Sequence, residues 1–475
     1  MVQSLVKKSI NSKLFKVISE CADESGLECY VIGGFVRDLF LGLKKSKDID
    51  ILVIGDGIDI AKKVSEKLRC KSKISVYKNF RTAAFKHENF ELEFVGSRKE
   101  SYNINSRNPI VEIGTLDNDL DRRDFTINTI GICLNLKKWG QVIDKFNGIN
   151  HIKKKIIITP LDPVKTFSDD PLRMLRAIRF SCELNFSIDS ECLKVINQEK
   201  KRITIVSNER INEEINKILM TKKPSKGFNV LFDTGILNII LPELTALKGV
   251  DEREGHKHKD NFYHTLEVVD NIAKTTKNLW LRWSALLHDI GKAPTKKFIK
   301  KIGWTFHGHE LKGSKMVYKI FKRLNLPLNH KLKYVQKIIY MSSRPIILSD
   351  NNTSDSAIRR LIFDAKEDVD DLLTLCEADI TTKNPNRFKK YLNNFKIVRK
   401  KIELVEKRDH IRNFQPPISG EEIMNYFNLK PGKEIGIIKE FIKESILDGK
   451  ITNDYESAKS LMNQKGIQMG LKVSE

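Results

Sequence analysis

Over roughly its first 155 residues the chain alternates short runs, in which apolar and polar positions switch every second residue, with longer stretches that repeat every three to four. The runs "ECYVIGG", "DIDILVI", "TAAFKH", "FELEFVGS" and "QVIDKF" predict strands and the stretches between them predict helices, so an α/β domain is expected there. From about 165 to 245, "PLRMLRAIRF", "NERINEEINKILM" and "GFNVLFDTGIL" carry apolar residues three and four apart, the period of a helix with one buried face. A charged, histidine-bearing linker, "DEREGHKHKD", opens a second helical region with "YHTLEVVDNIAK" and "LRWSALLHDIGK". After about residue 385 a long basic amphipathic stretch runs to "PPISG", followed by a final helical segment broken at "LKPGKEIG". The pattern predicts an α+β chain in four parts: an α/β head at 1–155, an all-helical neck at 156–250, a second helical domain at 251–385 and a helical tail at 386–475.

Composition sharpens this picture in three ways. A chain of 475 residues exceeds what one hydrophobic core usually serves, which fits several domains. A formal net charge of +23 favours a polyanionic partner, nucleic acid before membrane, although lysine-rich proteins also carry such charge as plain solvated surface. The seven cysteines are scattered without a CxxC pair, which argues against a disulfide framework or a zinc knuckle and for reduced thiols in the cytoplasm. The opening "MVQSLVKKSINSKLF" lacks a continuous apolar region, and no later run approaches the roughly 18 apolar residues a membrane span needs. No membrane partner is expected.

Candidate chemistry begins at "KDIDILVI". In a strand, Asp48 and Asp50 project to one face while Ile49, Ile51 and Val53 face the core. Two like charges so placed repel unless a cation lies between them. In "FELEFV", Phe90, Leu92 and Phe94 face one way and leave Glu91 and Glu93 on the other, so a neighbouring strand offers a third carboxylate. Three such oxygens on adjacent strands suit Mg²⁺, a hard cation. Upstream, "YVIGGFVRDLF" reads as strand, Gly33-Gly34 turn and helix, whose free N–H groups suit a phosphate. The plain alternative is an aspartate pair facing water beside glycines chosen for tight packing.

In order and spacing, "GGFVRD", "DID", "RRDFTIN" and "DDPLRMLRAIRF" resemble the successive motifs of tRNA nucleotidyltransferases (CCA-adding enzymes) and bacterial poly(A) polymerases, which share the DNA polymerase β superfamily head. The resemblance spans roughly the first 245 residues. It implies a nucleotidyltransferase head that uses Mg²⁺ on Asp48 and Asp50, with Glu93 assisting, and a triphosphate met by Gly33, Gly34 and Arg37.

Cytosine and adenine both offer an amino donor beside a ring-nitrogen acceptor, whereas uracil and guanine offer a carbonyl beside a ring N–H. Asp170 only accepts and Arg173 only donates, and their i, i+3 spacing puts both on one helix face. The resemblance makes them the protein template for the incoming base, with Arg176 and Arg179 on the same motif as further nucleotide-binding candidates. Asp170 before Pro171 also reads as a helix cap, a role open to Ser168 or Asp169 as well. The family usually has Glu-Asp where this chain has Asp169-Asp170. In "RRDFTIN", Asp124 and Asn128 are expected on one helical face with Arg123 near the triphosphate or sugar, and the resemblance assigns the motif to the nucleotide sugar. "SNERINEE" has Ser207 or Asn208 as caps and matches a motif supporting the template helix; local ion pairs explain it equally.

A second series, His264, His288-Asp289, His309 and Asp379, uses residue types that ligate metals. It resembles the HD superfamily of metal-dependent phosphohydrolases, with His264, His288, Asp289 and Asp379 as its ligands. His309 and Lys292 match positions that in relatives contact a second metal or a phosphate. The resemblance implies a divalent ion such as Mn²⁺, Co²⁺ or Ni²⁺, and phosphatase or 2′,3′-cyclic phosphodiesterase activity; a degenerate scaffold is the alternative.

The tail stretch "RFKKYLNNFKIVRKKIELVEKR" offers a basic face to a tRNA acceptor arm or simply to water. Together these readings predict a cytoplasmic enzyme that adds C, C and A to tRNA from CTP and ATP. The passage from C to A is expected to depend on loop motion within residues 100–119. Poly(A) addition or partial CC or A addition is the nearest rival. A phosphohydrolase with an RNA-binding head is the rival of another class.

Overall fold

The computed structural model describes residues 2–43, 46–101, 110–348, 354–412 and 414–473. Contacts divide the chain into two compact units, residues 1–240 and 241–475.

The first unit is built on a seven-stranded mixed sheet. Its strands are β1 (Cys29–Ile32), β2 (Asp48–Val53), β3 (Ser75–Tyr77), β4 (Thr82–His87), β5 (Phe90–Gly96), β6 (Gly131–Cys133) and β7 (Val142–Ile143), in the order β3-β4-β5-β2-β1-β6-β7. Every neighbouring pair is antiparallel except β2 and β5, which run parallel. The expected strand runs all form strands. Two more, β3 and β6, are only three residues long and carry too few positions for alternation to show. The parallel register sets Asp48 opposite Glu91 and Asp50 opposite Glu93. Ile49, Ile51 and Val53 are fully or almost fully buried, as are Leu92 and Phe94 on the partner strand. The amphipathic helix Gly57–Lys67 covers β4 and β5 with Ile60, Ala61 and Val64, and Asp56 caps its start by accepting from the Ile58 N–H.

The neck is helical, with one addition to the expectation: Ile156–Ile157 pairs in parallel with Ser187–Ile188. Helix Leu172–Glu183 packs against helices Asn208–Leu219 and Pro224–Asp233. "RRDFTIN" is corrected: it forms no regular helix but a bend at Asp124 and a 3₁₀ turn at Thr126–Asn128. The reason is local, since Asp124 Oδ1 accepts from the Phe125 N–H (2.8 Å) and offers the backbone an alternative to helical pairing. Of residues 100–119, assigned to nucleotide switching, 102–109 lie outside the described residues. The remainder includes a hairpin of Arg98–Ser101 with Ile110–Ile113 and the helix Leu116–Asp121, started by a capping box of Thr115 and Asn118.

In the second unit, helix Leu279–Leu287 is apolar nearly all round, with Leu281, Trp283, Leu286 and Leu287 fully buried, so it carries the following His288-Asp289 into the interior. Helix Asn261–Thr275 packs beside it, capped by Asp260, which accepts from the N–H groups of Phe262 and Tyr263. The segment read as a linker is also corrected. Glu252–Arg253 and His256–Lys257 form a small antiparallel ladder, turned at Gly255 and packed on the hairpin Lys297–Ile299/Gly303–Thr305. The tail is helical from Pro385–Asp409 to Tyr455–Gln468. No helix among the described residues is long and apolar enough to cross a membrane.

Candidate functional site

The strand register concentrates carboxylates on one edge of the sheet face. Asp48 and Asp50 point away from the core, with Glu93 beside Asp50 on the adjoining strand. Glu91, opposite Asp48, forms an ion pair with Lys86. Burial holds the Asp50 carboxyl above its ordinary range; Arg123 pulls it down and Asp48 pushes it up further. Burial and the charge of Asp50 likewise raise Glu93. Two raised acids side by side are what a carboxylate cluster shows when a cation would relieve it, so the donor set fits a hard divalent ion.

Gly33 ends β1 with φ +79°. A Cβ there would sit 3.1 Å from Asp50 Oδ2 and 3.6 Å from Arg123 Nη1, so glycine keeps the space between acid and guanidinium open. Helix Gly34–Phe40 follows and supplies Arg37, whose Nη1 donates to Asn128 Oδ1 (3.0 Å). Asn128 Nδ2 donates to Asp124 Oδ1 (3.0 Å), and Arg176 pairs with Asp124 Oδ2 at 2.6 Å. Asp124 is buried, which by itself would raise its carboxyl, yet Arg176 and the Asn128 hydrogen bond pull it down to about 2. Arg123 is fixed from behind by fully buried Asp119, 2.9 Å away. Phe180 lies under the guanidinium groups of Arg179, Arg37 and Arg176, at 4.0, 5.1 and 5.3 Å from its ring centre.

A cavity of about 1060 Å³ gathers Gly33, Gly34, Arg37, Asp48, Asp50, Glu93, Arg123, Asp124, Asn128 and Arg176 in its lining. Asp170, Arg173 and Arg179 lie outside that lining. Asp170 Oδ1 accepts from the Leu172 N–H (3.1 Å), the capping contact weighed from sequence, and Oδ2 stands 3.6 Å from Arg210. Arg173 is buried and donates to the carbonyls of Thr166 (3.2 Å) and Arg122. Arg179 pairs with Glu214 and Glu183. The lining also includes Lys73, Tyr77, Phe180 and Lys217, which sequence reasoning did not single out. Phe180 sits inside a quoted motif, but Tyr77 belongs to a strand with no pattern to mark it.

The second centre lies wholly within the second unit. His264 Nε2 is 2.8 Å from Asp379 Oδ1, and His288 Nε2 is 3.6 Å from the same oxygen. Asp289 Oδ2 stands 3.4 Å from His288 Nε2 and 3.7 Å from His264 Nε2, while Lys292 pairs with it at 2.7 Å. His309 Nε2 is 3.8 Å from Asp289 Oδ1. His288 Nδ1 lies 2.8 Å from the Ala285 carbonyl, which places one ring proton there and makes Nε2 the nitrogen from which a metal ion would displace a proton. Burial opposes protonation of His288, but Asp289 and Asp379 outweigh it and push the imidazole up to about 10. His288 Nε2 and Asp379 Oδ1 are buried, and apart from the 2.8 Å approach of His264 Nε2 to that oxygen neither has a well-directed hydrogen-bond partner among the described residues. Ligand atoms of His264, His288 and Asp379 lie within 4.8 Å of one another. Buried imidazole and carboxylate groups converging this closely fit a divalent metal ion.

Three family models match successive parts of the chain. The Poly A polymerase head domain matches residues 29–158, the probable RNA- and SrmB-binding site of polymerase A matches 185–248, and the HD domain matches 261–382. The Multifunctional CCA protein of Neisseria meningitidis serogroup A is 32% identical over 314 residues, covering 63% of this chain and 69% of that one. Its counterpart in Pseudomonas fluorescens is 32% identical over 315 residues, covering 63% and 71%. Among solved structures, the Bacillus stearothermophilus CCA-adding enzyme in complex with CTP superposes with a TM-score of 0.67 at 21% identity, covering 97% of this chain and 99% of that one. The Thermotoga maritima CCA-adding enzyme complexed with tRNA gives 0.61 at 21%, covering 98% of each. Heads of this kind and HD domains use divalent metals, and His264, His288 and Asp379 are grouped closely enough to hold one. With the motif order, the head and HD domains and this degree of identity in agreement, the chain belongs to the CCA protein family of tRNA nucleotidyltransferases.

Proposed function

We propose that this protein adds C, C and A to the 3′ end of tRNA from CTP and ATP without a nucleic-acid template. The observation that carries the reading is the convergence of Asp48, Asp50 and Glu93 with Gly33 and Arg123 in one cavity. Asp48 and Asp50, assisted by Glu93, hold Mg²⁺, which when bound activates the 3′-hydroxyl and offsets charge on the triphosphate. Arg37, Arg123 and Arg176 frame the same space, and Gly33 and Gly34 let the triphosphate approach the backbone. The carboxylate of Asp170 and the guanidinium of Arg173 select the base, exchanging their contacts to Leu172, Thr166 and Arg122 for the pairing edge of cytosine or adenine. The free thiols, several of them buried, accord with a cytoplasmic setting. Incubating the protein with labelled CTP and ATP and a tRNA ending at the discriminator nucleotide tests this. Three added nucleotides are expected; a long adenosine tail, or only two or one additions, would favour the rival activities.

A second reading rests on the convergence of His264, His288 and Asp379. His264, His288, Asp289 and Asp379 hold Mn²⁺, Co²⁺ or Ni²⁺, and the HD region hydrolyses phosphate esters. Protein purified with each ion is expected to retain it through dialysis and to cleave 4-nitrophenyl phosphate, with His288→Ala abolishing both. Failure to retain any of them would refute the reading.

A further inference from the structure

Beside the HD ligands opens a cavity of about 770 Å³, within the range of small-molecule sites, whose walls include His264 and Asp379 themselves. One wall is not part of the region that matches the HD domain, which ends at residue 382. It is the tail helix Pro385–Asp409, whose Lys390, Tyr391 and Asn394 line the cavity. Facing residues include Tyr263, one position before the ligand His264, and Ile346. Tyr263, Tyr391 and Ile346 are 49%, 43% and 45% exposed, an unusual gathering of large apolar surface around a charged centre. Cys376 also borders the cavity, but burial holds its thiol far above the ordinary range and Sγ donates to the Ser342 carbonyl (3.0 Å), so it is not a nucleophile.

The cavity brings two kinds of surface together. Its lining holds ligands that fit a divalent ion and the ammonium of Lys259, 3.4 Å from His264 Nδ1, suited to phosphate oxygens. It also holds the aromatic rings of Tyr263 and Tyr391, suited to a flat organic group.

We propose that this cavity is the specificity pocket of the HD centre: it takes a phosphate monoester with a planar aromatic body, and Tyr391 of the tail helix grips that body. This rests on the metal-site reading above and adds a residue that the HD region alone does not supply. The tail is then part of the hydrolytic site as well as a candidate RNA-binding face.

The test uses full-length Mn²⁺-loaded protein and two non-hydrolysable probes, phenylphosphonate and methylphosphonate, with binding followed by calorimetry. Phenylphosphonate is expected to bind about tenfold more tightly. Tyr391→Ala should bring the two probes within about twofold while leaving methylphosphonate affinity and metal content unchanged, and Tyr391→Phe should keep the preference. Equal binding of the probes by the unaltered protein, or a preference that survives Tyr391→Ala, would overturn the proposal. Hydrolysis of 4-nitrophenyl phosphate is scored separately. Cleavage without aromatic preference defeats the pocket but not the HD reading, whereas preference without cleavage supports the pocket and defeats only the hydrolytic step.

Discussion

Asp124 shows how one side chain can serve two purposes. It bends the "RRDFTIN" segment by accepting from its neighbour's N–H, and it anchors Arg176 at the cavity wall. Its carboxyl is held near 2, against an ordinary value near 4, by Arg176 and Asn128, with Arg173 adding to the effect. A depressed folded-state value means stability that is fully present above the unfolded value and lost as pH falls through the folded one. The shift corresponds to about 2 kcal/mol at neutral pH. Asp124→Asn should therefore lower the urea midpoint of the first unit at pH 7, and the gap to the unaltered protein should close as pH falls from about 4 toward 2. At this scale the sequence was informative about residue type. The acceptor-only, donor-only and ligand-forming side chains could be named from chemistry and motif order. The Asp170 cap was also legible, from the proline that follows it, but nothing in "DDPLRMLRAIRF" reveals that Arg173 faces two carbonyls or that Arg179 is absorbed by Glu214.

Elements position these groups through close backbone approach. Gly291 follows the His288-Asp289 pair, and a Cβ there would lie 2.0 Å from the His309 carbonyl oxygen and 2.7 Å from the Gly313 nitrogen. Helix His309–Arg323 thus begins directly on the Gly291 backbone, which is how His309 comes to face Asp289. Gly291→Ala must push that helix away. It should cost about 1 to 3 kcal/mol of stability in the second unit, read by chemical denaturation. It should also weaken metal retention several-fold. Amphipathic strands and helices were legible because burial of one face imposes a period. The small ladder at residues 252–257 was not, because its charged, exposed positions carry no such signal and its pairing is set by the neighbouring hairpin. The 3₁₀ turn at Thr126–Asn128 escaped for a related reason: i, i+4 spacing brings Asp124 and Asn128 together through a side-chain hydrogen bond without a helix between them.

For the whole molecule, the proposed tRNA binding would be driven electrostatically by a net charge of +23 and a 25-residue basic tail helix. Affinity for tRNA should fall at least about tenfold between roughly 50 and 200 mM salt, measured by filter binding or anisotropy. Two separate acid clusters, one in each unit, also predict that nucleotide addition and phosphate-ester chemistry can be removed independently. The four-part reading of the chain followed changes in hydrophobic period, whereas the contacts divide it once, between Ile240 and Leu241. The most direct measurement compares Asp48→Asn/Asp50→Asn with His288→Ala in tRNA end-extension from labelled CTP and ATP. The account predicts that the first variant loses extension by about 10³-fold or more, in keeping with loss of a metal-held charge in the transition state, while the second extends tRNA normally; undiminished extension by the double aspartate variant would contradict it.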